Sequence, residues 1–152
     1  LSNPYTGVCA IFSSRLLNDQ RPLIFEDGGQ TRDFVHVSDI VQANLLALET
    51  DKADYQAINV GTGRPISVGE IAGMLAKGLG KDIQPEYVGK YREGDIRHCV
   101  ADISKARNLL NYEPKVSLED GLMALLEWVK DQDATDRVSA ATAELAARNL
   151  VK

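Results

Sequence analysis

The stretch GGQTRDFVHVSDIVQANLLALE, residues 28–49, contains the change of hydrophobic pattern that decides the fold class. Residues 31–37 alternate in the manner of a β-strand, whose successive side chains point to opposite faces. Asp39 with Gln42 three residues later resembles a capping box at the start of a helix. The apolar side chains of this helix recur at the spacing of one helix face: Val41, Leu45 and Leu48. A strand followed directly by a helix is typical of α/β proteins.

Strands and helices alternate on both sides of this stretch. Further short strands are predicted at RPLIF (21–25), YQAINV (55–60) and IQPEYV (83–88). Further helices are predicted after Asn3-Pro4, from Ser67 with Glu70, from Asp102 to a stop at Asn111, and from Ser117 with Asp120. The pattern predicts an α/β fold of short strands and several helices. It is divided into a lobe over residues 1–130 and an alanine-rich C-terminal helix over residues 131–152.

Composition and charge narrow the classes of partner. The 152 residues are 44% hydrophobic and 26% charged, which is an ordinary globular composition. A net charge of −5 and a pI near 5.0 argue against nucleic acid and against an anionic membrane surface, because both require a basic face. No apolar run reaches the roughly 18 residues of a membrane-spanning helix. Neither nucleic acid nor a membrane is therefore expected as a partner.

Cysteine and histidine are too sparse for a disulfide or metal framework. Cys9 and Cys99 form no C-x-x-C motif, so reduced thiols in the cytoplasm are expected. His98 beside Cys99 has no second pair of ligands nearby in the sequence, so no metal site is predicted. His36 alternates with Phe34 on one strand face and is interpreted as a hydrogen-bonded packing histidine.

The glycine pairs of the chain do not match nucleotide-binding fingerprints. Gly61-x-Gly63 has Ile66 where a dinucleotide fingerprint requires its third glycine, and Gly78-x-Gly80 fails in the same way. Neither a P-loop nor a G-x-S-x-G elbow is present in the sequence. These glycines are therefore interpreted as turns and helix stops. No residue of the chain is predicted to bind a dinucleotide or to be catalytic.

Two arginines beside glycine and aspartate are the remaining chemical signal. Arg32 follows a glycine turn, and Arg92 begins the sequence R-E-G-D that ends at Asp95. A guanidinium fork matches phosphate oxygens, and a carboxylate accepts hydrogen bonds from ribose hydroxyls. The same residues could form a surface ion pair worth under about 1 kcal/mol. From these residues alone, a nucleotide ligand and a solvated surface both stay open.

Three motifs that contain these residues occur in a recognisable order. They are GGQTRDFVHVSDIVQANLLALE at residues 28–49, INVGTGRPISVGEIA at residues 58–72 and REGDIRHCVADISKARNLLNYEPKVSLEDGL at residues 92–122. In this order the chain resembles the C-terminal half of the NAD-dependent nucleotide-sugar epimerases and dehydratases, the extended short-chain dehydrogenases, over residues 3–130. The resemblance implies the family's C-terminal substrate-binding lobe, without the Rossmann dinucleotide half.

The resemblance also implies a site for a nucleotide-diphosphate sugar. The strand before the glycine turn would present its backbone to the nucleotide base: Leu23, Ile24 and Phe25. Arg32 would reach the ribose-diphosphate region and Arg92 would clamp the diphosphate. Asp95 would accept hydrogen bonds from the ribose, and Asn3 at the start of the first helix would contact phosphate.

The catalytic parts of that family are not found in this sequence. By resemblance, bound NAD and a Tyr-x-x-x-Lys pair belong to the N-terminal half, and none of the five tyrosines here has a lysine four residues on. Since the chain begins at Leu1, it is expected to be a fragment that is inactive alone and binds no cofactor itself. Its first and last segments look like deoxythymidine-diphosphate-rhamnose 4-epimerases, and its core motifs suit UDP-glucose 4-epimerases equally. A cytoplasmic 4-epimerase is the expected parent.

Other functions stay open beside this one. The chain could be a stand-alone, non-catalytic nucleotide-sugar binding module, part of a dehydratase of the same family, or a structural domain in which Arg92 and Asp95 are only a surface pair. By resemblance, the helix at 39–50 and the strand at 55–60 pack on the missing half. The isolated chain is then expected to expose an apolar patch and to self-associate or form homodimers.

Overall fold

The computed structural model describes residues 7–91, 93–132, 134, 138–148 and 151. In chain order its elements are α1 (Val8–Leu17), β1 (Leu23–Ile24), β2 (Thr31–Arg32), α2 (Val37–Leu48), a 3₁₀ turn (Asp51–Ala53), β3 (Ile66–Ser67), α3 (Val68–Gly78), β4 (Glu86–Tyr87), β5 (His98–Cys99), α4 (Ser104–Leu110), α5 (Leu118–Lys130) and α6 (Val138–Ala147). The predicted α/β class with short strands and several helices is confirmed.

Internal contacts divide the chain into two compact units. Unit 1 consists of residues 1–30, 67–97 and 123–152, and unit 2 consists of residues 31–66 and 98–122. Each unit is therefore built from segments that are distant in sequence. The division that the sequence predicts at residue 130 stays a prediction.

Unit 1 is organised by two helices and a short parallel ladder. Helix α1 packs on α3, and β1 pairs in parallel with β4 in the register Leu23–Glu86 and Ile24–Tyr87. The almost completely buried apolar side chains of this unit include Leu16, Ile24, Ile71, Leu75 and Val129. A Cβ at Gly78 would overlap Leu126, so glycine at this position lets α3 and α5 approach closely.

The bounds of α3 follow from the capping chemistry that the sequence predicts. Ser67 Oγ accepts a hydrogen bond from the Glu70 backbone N–H at 3.1 Å, and the Glu70 carboxylate accepts one from the Ser67 N–H at 2.9 Å. This reciprocal pair is the predicted capping box, which is confirmed. After the helix, Gly80 has a φ of +66°, the left-handed conformation that glycine adopts most readily.

Unit 2 buries a small core around one tyrosine. Strand β2 pairs in parallel with β5, with Thr31 opposite His98. The buried residues of its core are Ala43, Ala106, Leu110 and Tyr112, and Ile58 and Val60 pack against them. The Tyr112 hydroxyl donates a hydrogen bond to the Gly61 carbonyl at 2.9 Å, so the polar end of this buried ring is satisfied.

The ends of α4 and α5 agree largely with the sequence. Asn111 ends α4 in the left-handed conformation, with φ of 53° and ψ of 32°. Ser117 Oγ accepts a hydrogen bond from the Asp120 N–H at 3.0 Å and so caps α5. The start of α4 differs by one residue, since Ile103 is its N-cap. The predicted cap, Asp102, still accepts a hydrogen bond from the Ser104 N–H at 3.0 Å.

The predicted strand over residues 31–37 is mostly wrong. Regular pairing ends at Arg32, and His36 is instead the N-cap of α2, with its ring nitrogen Nδ1 accepting from the Ser38 N–H at 3.2 Å. The capping box predicted for Asp39 with Gln42 is also wrong, because Asp39 lies inside the helix. An imidazole nitrogen accepts the same helix-end hydrogen bond that serine or aspartate accepts, so the helix begins earlier than expected.

Two further sequence predictions about elements are corrected. Residues 55–60 form no strand, and within the described part of the chain no neighbouring strand supplies ladder hydrogen bonds to them. The first helix begins at Val8 with Gly7 as its N-cap, later than the start predicted after Asn3-Pro4. Asn3 itself lies outside the described residues.

Helix α2 presents apolar side chains to solvent. Its exposed residues lie along one face, with exposed fractions of 68% for Val37, 52% for Val41, 56% for Leu45 and 84% for Leu48. A contiguous exposed apolar face is typical of a surface that another part of a protein covers.

Candidate functional site

The predicted base-binding strand lies in unit 1 at the edge of a parallel ladder. The Glu86 N–H donates to the Pro22 carbonyl at 2.8 Å, and the Val88 N–H donates to the Ile24 carbonyl at 3.0 Å. The ladder continues one step beyond the strand, where the Glu26 N–H donates to the Lys90 carbonyl at 2.8 Å. The segment that leads into the predicted R-x-G-D turn therefore runs directly beside the end of β1.

A glycine turn follows this strand closely. The buried Gly28 has a φ of +77°, and a Cβ there would lie 2.6 Å from the Tyr87 ring, so only glycine fits without displacement. The Phe25 carbonyl accepts a hydrogen bond from the Gln30 side-chain amide at 2.6 Å. Ile24 is 1% exposed, whereas Leu23 and Phe25 are half-buried. Turn and strand are thus held in one backbone arrangement by packing and hydrogen bonds.

Arg97 fixes the same turn through two acidic residues. Its guanidinium donates to Glu26 Oε2 at 2.5 Å and to Asp27 Oδ2 at 2.8 Å. The hydrogen bond from Arg97 and a second from the Gly29 N–H at 2.9 Å lower the pKa of the Asp27 carboxyl to about 2. The hydrogen bonds to Asp27 and Glu26 in turn raise the pKa of Arg97. Glu26 has a φ of +54°, which is uncommon for a residue other than glycine. Residues 90–97 are consequently tied to Glu26 at both ends.

Of the other residues predicted to contact the ligand here, the structure describes only Asp95. Asp95 is exposed, and the preceding Gly94 has a φ of +81° in a turn. Arg92 and Asn3 lie outside the described residues. The predictions for Arg92, Asp95 and Asn3 as ligand contacts stay predictions.

Arg32 belongs to unit 2, where it lies half-buried on β2. Its guanidinium Nη1 donates to the carbonyl of Thr31 at 2.8 Å. Beside it, Thr31 Oγ1 lies 2.9 Å from His98 Nδ1, so this histidine is hydrogen-bonded across the strand pair. The predicted role of Arg32 at a ribose-diphosphate group stays a prediction.

Asp33, next to Arg32, organises the Gly61-x-Gly63 turn. Its carboxylate accepts hydrogen bonds from the Thr62 N–H at 2.9 Å, the Thr62 hydroxyl at 2.5 Å and the Gly63 N–H at 2.9 Å. A Cβ at Gly61 would overlap the same carboxylate. The Thr62 and Gly63 backbone donors of this turn are therefore already used by Asp33. This agrees with the sequence interpretation of these glycines as a turn.

Sequence reasoning missed Arg97 and Asp33 as organising residues. Each lies close to a residue that was singled out, Asp95 and Arg32 respectively. The signal available for Arg97 was the acidic pair Glu26-Asp27, which directly follows the predicted strand at 21–25. A pairing over 70 residues of sequence is not visible without the fold.

Among the described residues there is neither a membrane-spanning helix nor a metal-binding cluster. None of their helices combines the length and the apolar character needed to cross a membrane. Over the same residues, no group of three or more histidine, cysteine, aspartate and glutamate side chains is arranged to hold a metal ion.

Comparison with known proteins places the chain in a family. The model of the GDP-mannose 4,6 dehydratase family matches residues 6–125. A putative UDP-glucose 4-epimerase of Methanocaldococcus jannaschii is 37% identical over 129 residues, 85% of this chain and 41% of the relative. A dTDP-L-rhamnose 4-epimerase of Burkholderia thailandensis is 33% identical over 133 residues, 87% of this chain and 36% of the relative. The crystal structure of UDP-glucose 4-epimerase with UDP-glucose from Thermotoga maritima matches with a TM-score of 0.76 at 42% identity, covering 85% of this chain and 41% of that one.

The fold and these similarities together define the class of the chain: an α/β protein related to enzymes that act on nucleotide sugars. The chain belongs to the nucleotide-sugar epimerase and dehydratase family of extended short-chain dehydrogenases, and it corresponds to the C-terminal part of its relatives. It spans about two fifths of the length of the curated relatives that it matches.

Proposed function

We propose that this chain is the nucleotide-sugar-binding part of an NAD-dependent nucleotide-sugar 4-epimerase, of the UDP-glucose or dTDP-rhamnose type. The observation that carries the proposal is the parallel ladder between residues 22–26 and 86–90. It brings the segment leading to Arg92 and Asp95 beside the strand predicted to contact the base, Leu23–Phe25. A single ligand with a base, a ribose and a diphosphate could contact both segments, because they lie side by side in this ladder.

Arg97 reduces the negative charge that an anionic ligand would meet in unit 1. Two carboxylates, those of Glu26 and Asp27, lie directly after the proposed base-binding strand and would repel a diphosphate. Arg97 donates to both of them and so offsets part of their negative charge. Arg97 itself is assigned a structural role and not a ligand contact, because its guanidinium is already engaged by two carboxylates.

Titration with UDP and with deoxythymidine diphosphate tests this function. Saturable amide shifts are expected near Leu23–Phe25 and near Asp95. Removing a clamped phosphate contact should weaken binding roughly 10- to 150-fold, so Arg92→Ala and Arg32→Ala are the informative variants. Arg107→Ala is the matched control, because Arg107 pairs with Glu113 at 2.9 Å on the surface of unit 2.

The outcomes separate the proposal from a purely structural domain. Equal affinity in all three arginine variants, or no saturable shift in a folded sample, would contradict the nucleotide-sugar site. The ratio of the two affinities ranks uracil against thymine and so chooses between the two kinds of 4-epimerase.

Catalysis and NAD binding are assigned to residues outside these 152. Asp33 already engages two backbone donors of the Gly61-x-Gly63 turn, and the sequence holds no Tyr-x-x-x-Lys pair, which supports this assignment. Sequencing upstream in the same gene distinguishes a 4-epimerase or dehydratase from a stand-alone binding module. An in-frame glycine fingerprint with a Tyr-x-x-x-Lys pair would support the enzyme, and a start codon directly before residue 1 would support the module.

Self-association through α2 belongs to the same proposal. Val41 and Leu45 are more than half exposed on an apolar helix face. The 152-residue chain alone is therefore expected to form dimers in aqueous buffer. Leu45→Lys should shift the mass measured by light scattering toward the monomer. Met123→Lys, which changes an equally exposed residue of α5, should leave the mass unchanged. A monomeric parent chain at high concentration would contradict this expectation.

A further inference from the structure

Unit 2 contains a cavity that none of the residues assigned above explains. It has a volume of about 300 Å³ and lies between the segments 62–66 and 114–118. Its apolar lining comes from Phe34, Ile66, Val116 and Leu118. This volume is at the lower end of the range of roughly 300–1,000 Å³ that is typical of small-molecule sites.

The two sides of this cavity are held by internal carboxylates. Asp33 accepts hydrogen bonds from the Thr62 and Gly63 backbone on one side, both at 2.9 Å. Asp39, which is 1% exposed, accepts from the Lys115 N–H at 2.9 Å and the Val116 N–H at 3.2 Å on the other. A cavity whose backbone is fixed in this way exists before any ligand binds, so binding costs little reorganisation.

The charges of the lining have one sign. Two cationic side chains contribute to it, Arg64 and Lys115, and no acidic side chain does. Within the described part of the chain, neither of these two side chains forms an ion pair. The carboxylates behind the cavity walls, Asp33 and Asp39, are engaged by backbone N–H groups. Two exposed cations without an ion pair beside an apolar lining indicate an anion with an apolar body.

We propose that this cavity binds a small organic anion. The apolar body of the ligand lies on Phe34 and Ile66, and its carboxylate or phosphate group is held by Arg64 and Lys115. Aromatic and aliphatic lining with a few convergent polar groups is the usual composition of such a site. The site uses none of the residues proposed to contact the nucleotide sugar, so it stands independently of that function.

Phenyl phosphate is the probe that tests the proposal, because it joins a flat apolar ring to a dianion. Saturable amide shifts are expected in residues 62–66 and 114–118. Removing both cations, in Arg64→Gln with Lys115→Gln, should weaken binding roughly tenfold, about threefold for each exposed charge. Both side chains are exposed, so the double variant is expected to keep the parent spectrum. Lys52→Gln, which removes one positive charge elsewhere in unit 2, should bind like the parent.

Two further probes separate the parts of the ligand. Inorganic phosphate, which lacks the apolar body, and benzyl alcohol, which lacks the charge, should each bind more weakly than phenyl phosphate. The proposal is overturned if phenyl phosphate produces no saturable shift at the cavity. It is equally overturned if the double variant binds as tightly as the parent, or if Lys52→Gln loses as much affinity as the double variant.

Discussion

Replacement of Asp39 by asparagine should destabilise the protein measurably. The carboxylate is 1% exposed and accepts hydrogen bonds from two successive backbone N–H groups, Lys115 at 2.9 Å and Val116 at 3.2 Å. Asparagine has nearly the same shape, but only one of its two terminal atoms is an acceptor. Its NH₂ group would therefore face one of the two backbone donors and leave that donor without a partner.

The expected loss in the free energy of unfolding is about 2 kcal/mol. A hydrogen bond to a charged group contributes roughly 1.5–3 kcal/mol, and one such bond is lost while the other becomes neutral. Relief from burying a charge offsets part of this cost. Since small domains are stable by only about 5–15 kcal/mol, a change of this size is a large fraction of the total.

Urea unfolding followed by circular dichroism measures the effect. With a slope of about 2 kcal/mol per molar urea, the midpoint should fall by roughly 1 M at unchanged slope. Glu49→Gln is the matched control, because it makes the same chemical change at an exposed position at the end of the same helix. Its effect should stay within about 0.5 kcal/mol. If both variants unfold at the same urea concentration, Asp39 does not hold residues 115 and 116 as described.

Three other perturbations test individual interactions. Tyr112→Phe removes a hydroxyl that donates from a fully buried ring, and it should lower the free energy of unfolding by about 1–2 kcal/mol in urea; no loss would show that the hydroxyl has no partner. The pKa of Asp27 is about 2, below its ordinary 3.8, so the stabilising contribution of its carboxylate is complete above about pH 4 and disappears as the pH falls through 2. In Arg97→Ala an NMR titration should show that pKa rising toward the ordinary value, and an unchanged pKa would contradict the pairing. Burial raises the pKa of the Cys9 thiol to about 11 whereas Cys99 is exposed, so iodoacetamide near pH 8 should alkylate Cys99 at least tenfold faster; equal rates would contradict the burial of Cys9.

Local chemistry explains the predictions that the structure confirms. The Ser67–Glu70 capping box and the left-handed Asn111 depend on atoms within a few residues of one another, and both are found as predicted. The α/β class follows from the same local patterns, because strand and helix periodicities differ. Family membership also followed from the order of three motifs, which needs no coordinates.

Two of the failed predictions concerned residues whose structure depends on a distant partner. Residues 33–36 alternate like a strand, yet an alternating pattern describes side-chain faces and does not supply the second strand that a ladder requires. Asp39 looked like a helix cap for the same reason, since its backbone partners lie 76 and 77 residues away.

The sequence by itself determined the α/β class, the capping of α3 and α5, the end of α4 at Asn111 and the family, since each depends on neighbouring residues or on motif order. Only the tertiary structure decided that Arg97 is engaged by Glu26 and Asp27, that Asp33 occupies the donors of a glycine turn, and that Arg64 and Lys115 line one cavity. Charge interactions act through space, and the distance between two charges is set by the folded chain rather than by their separation in sequence.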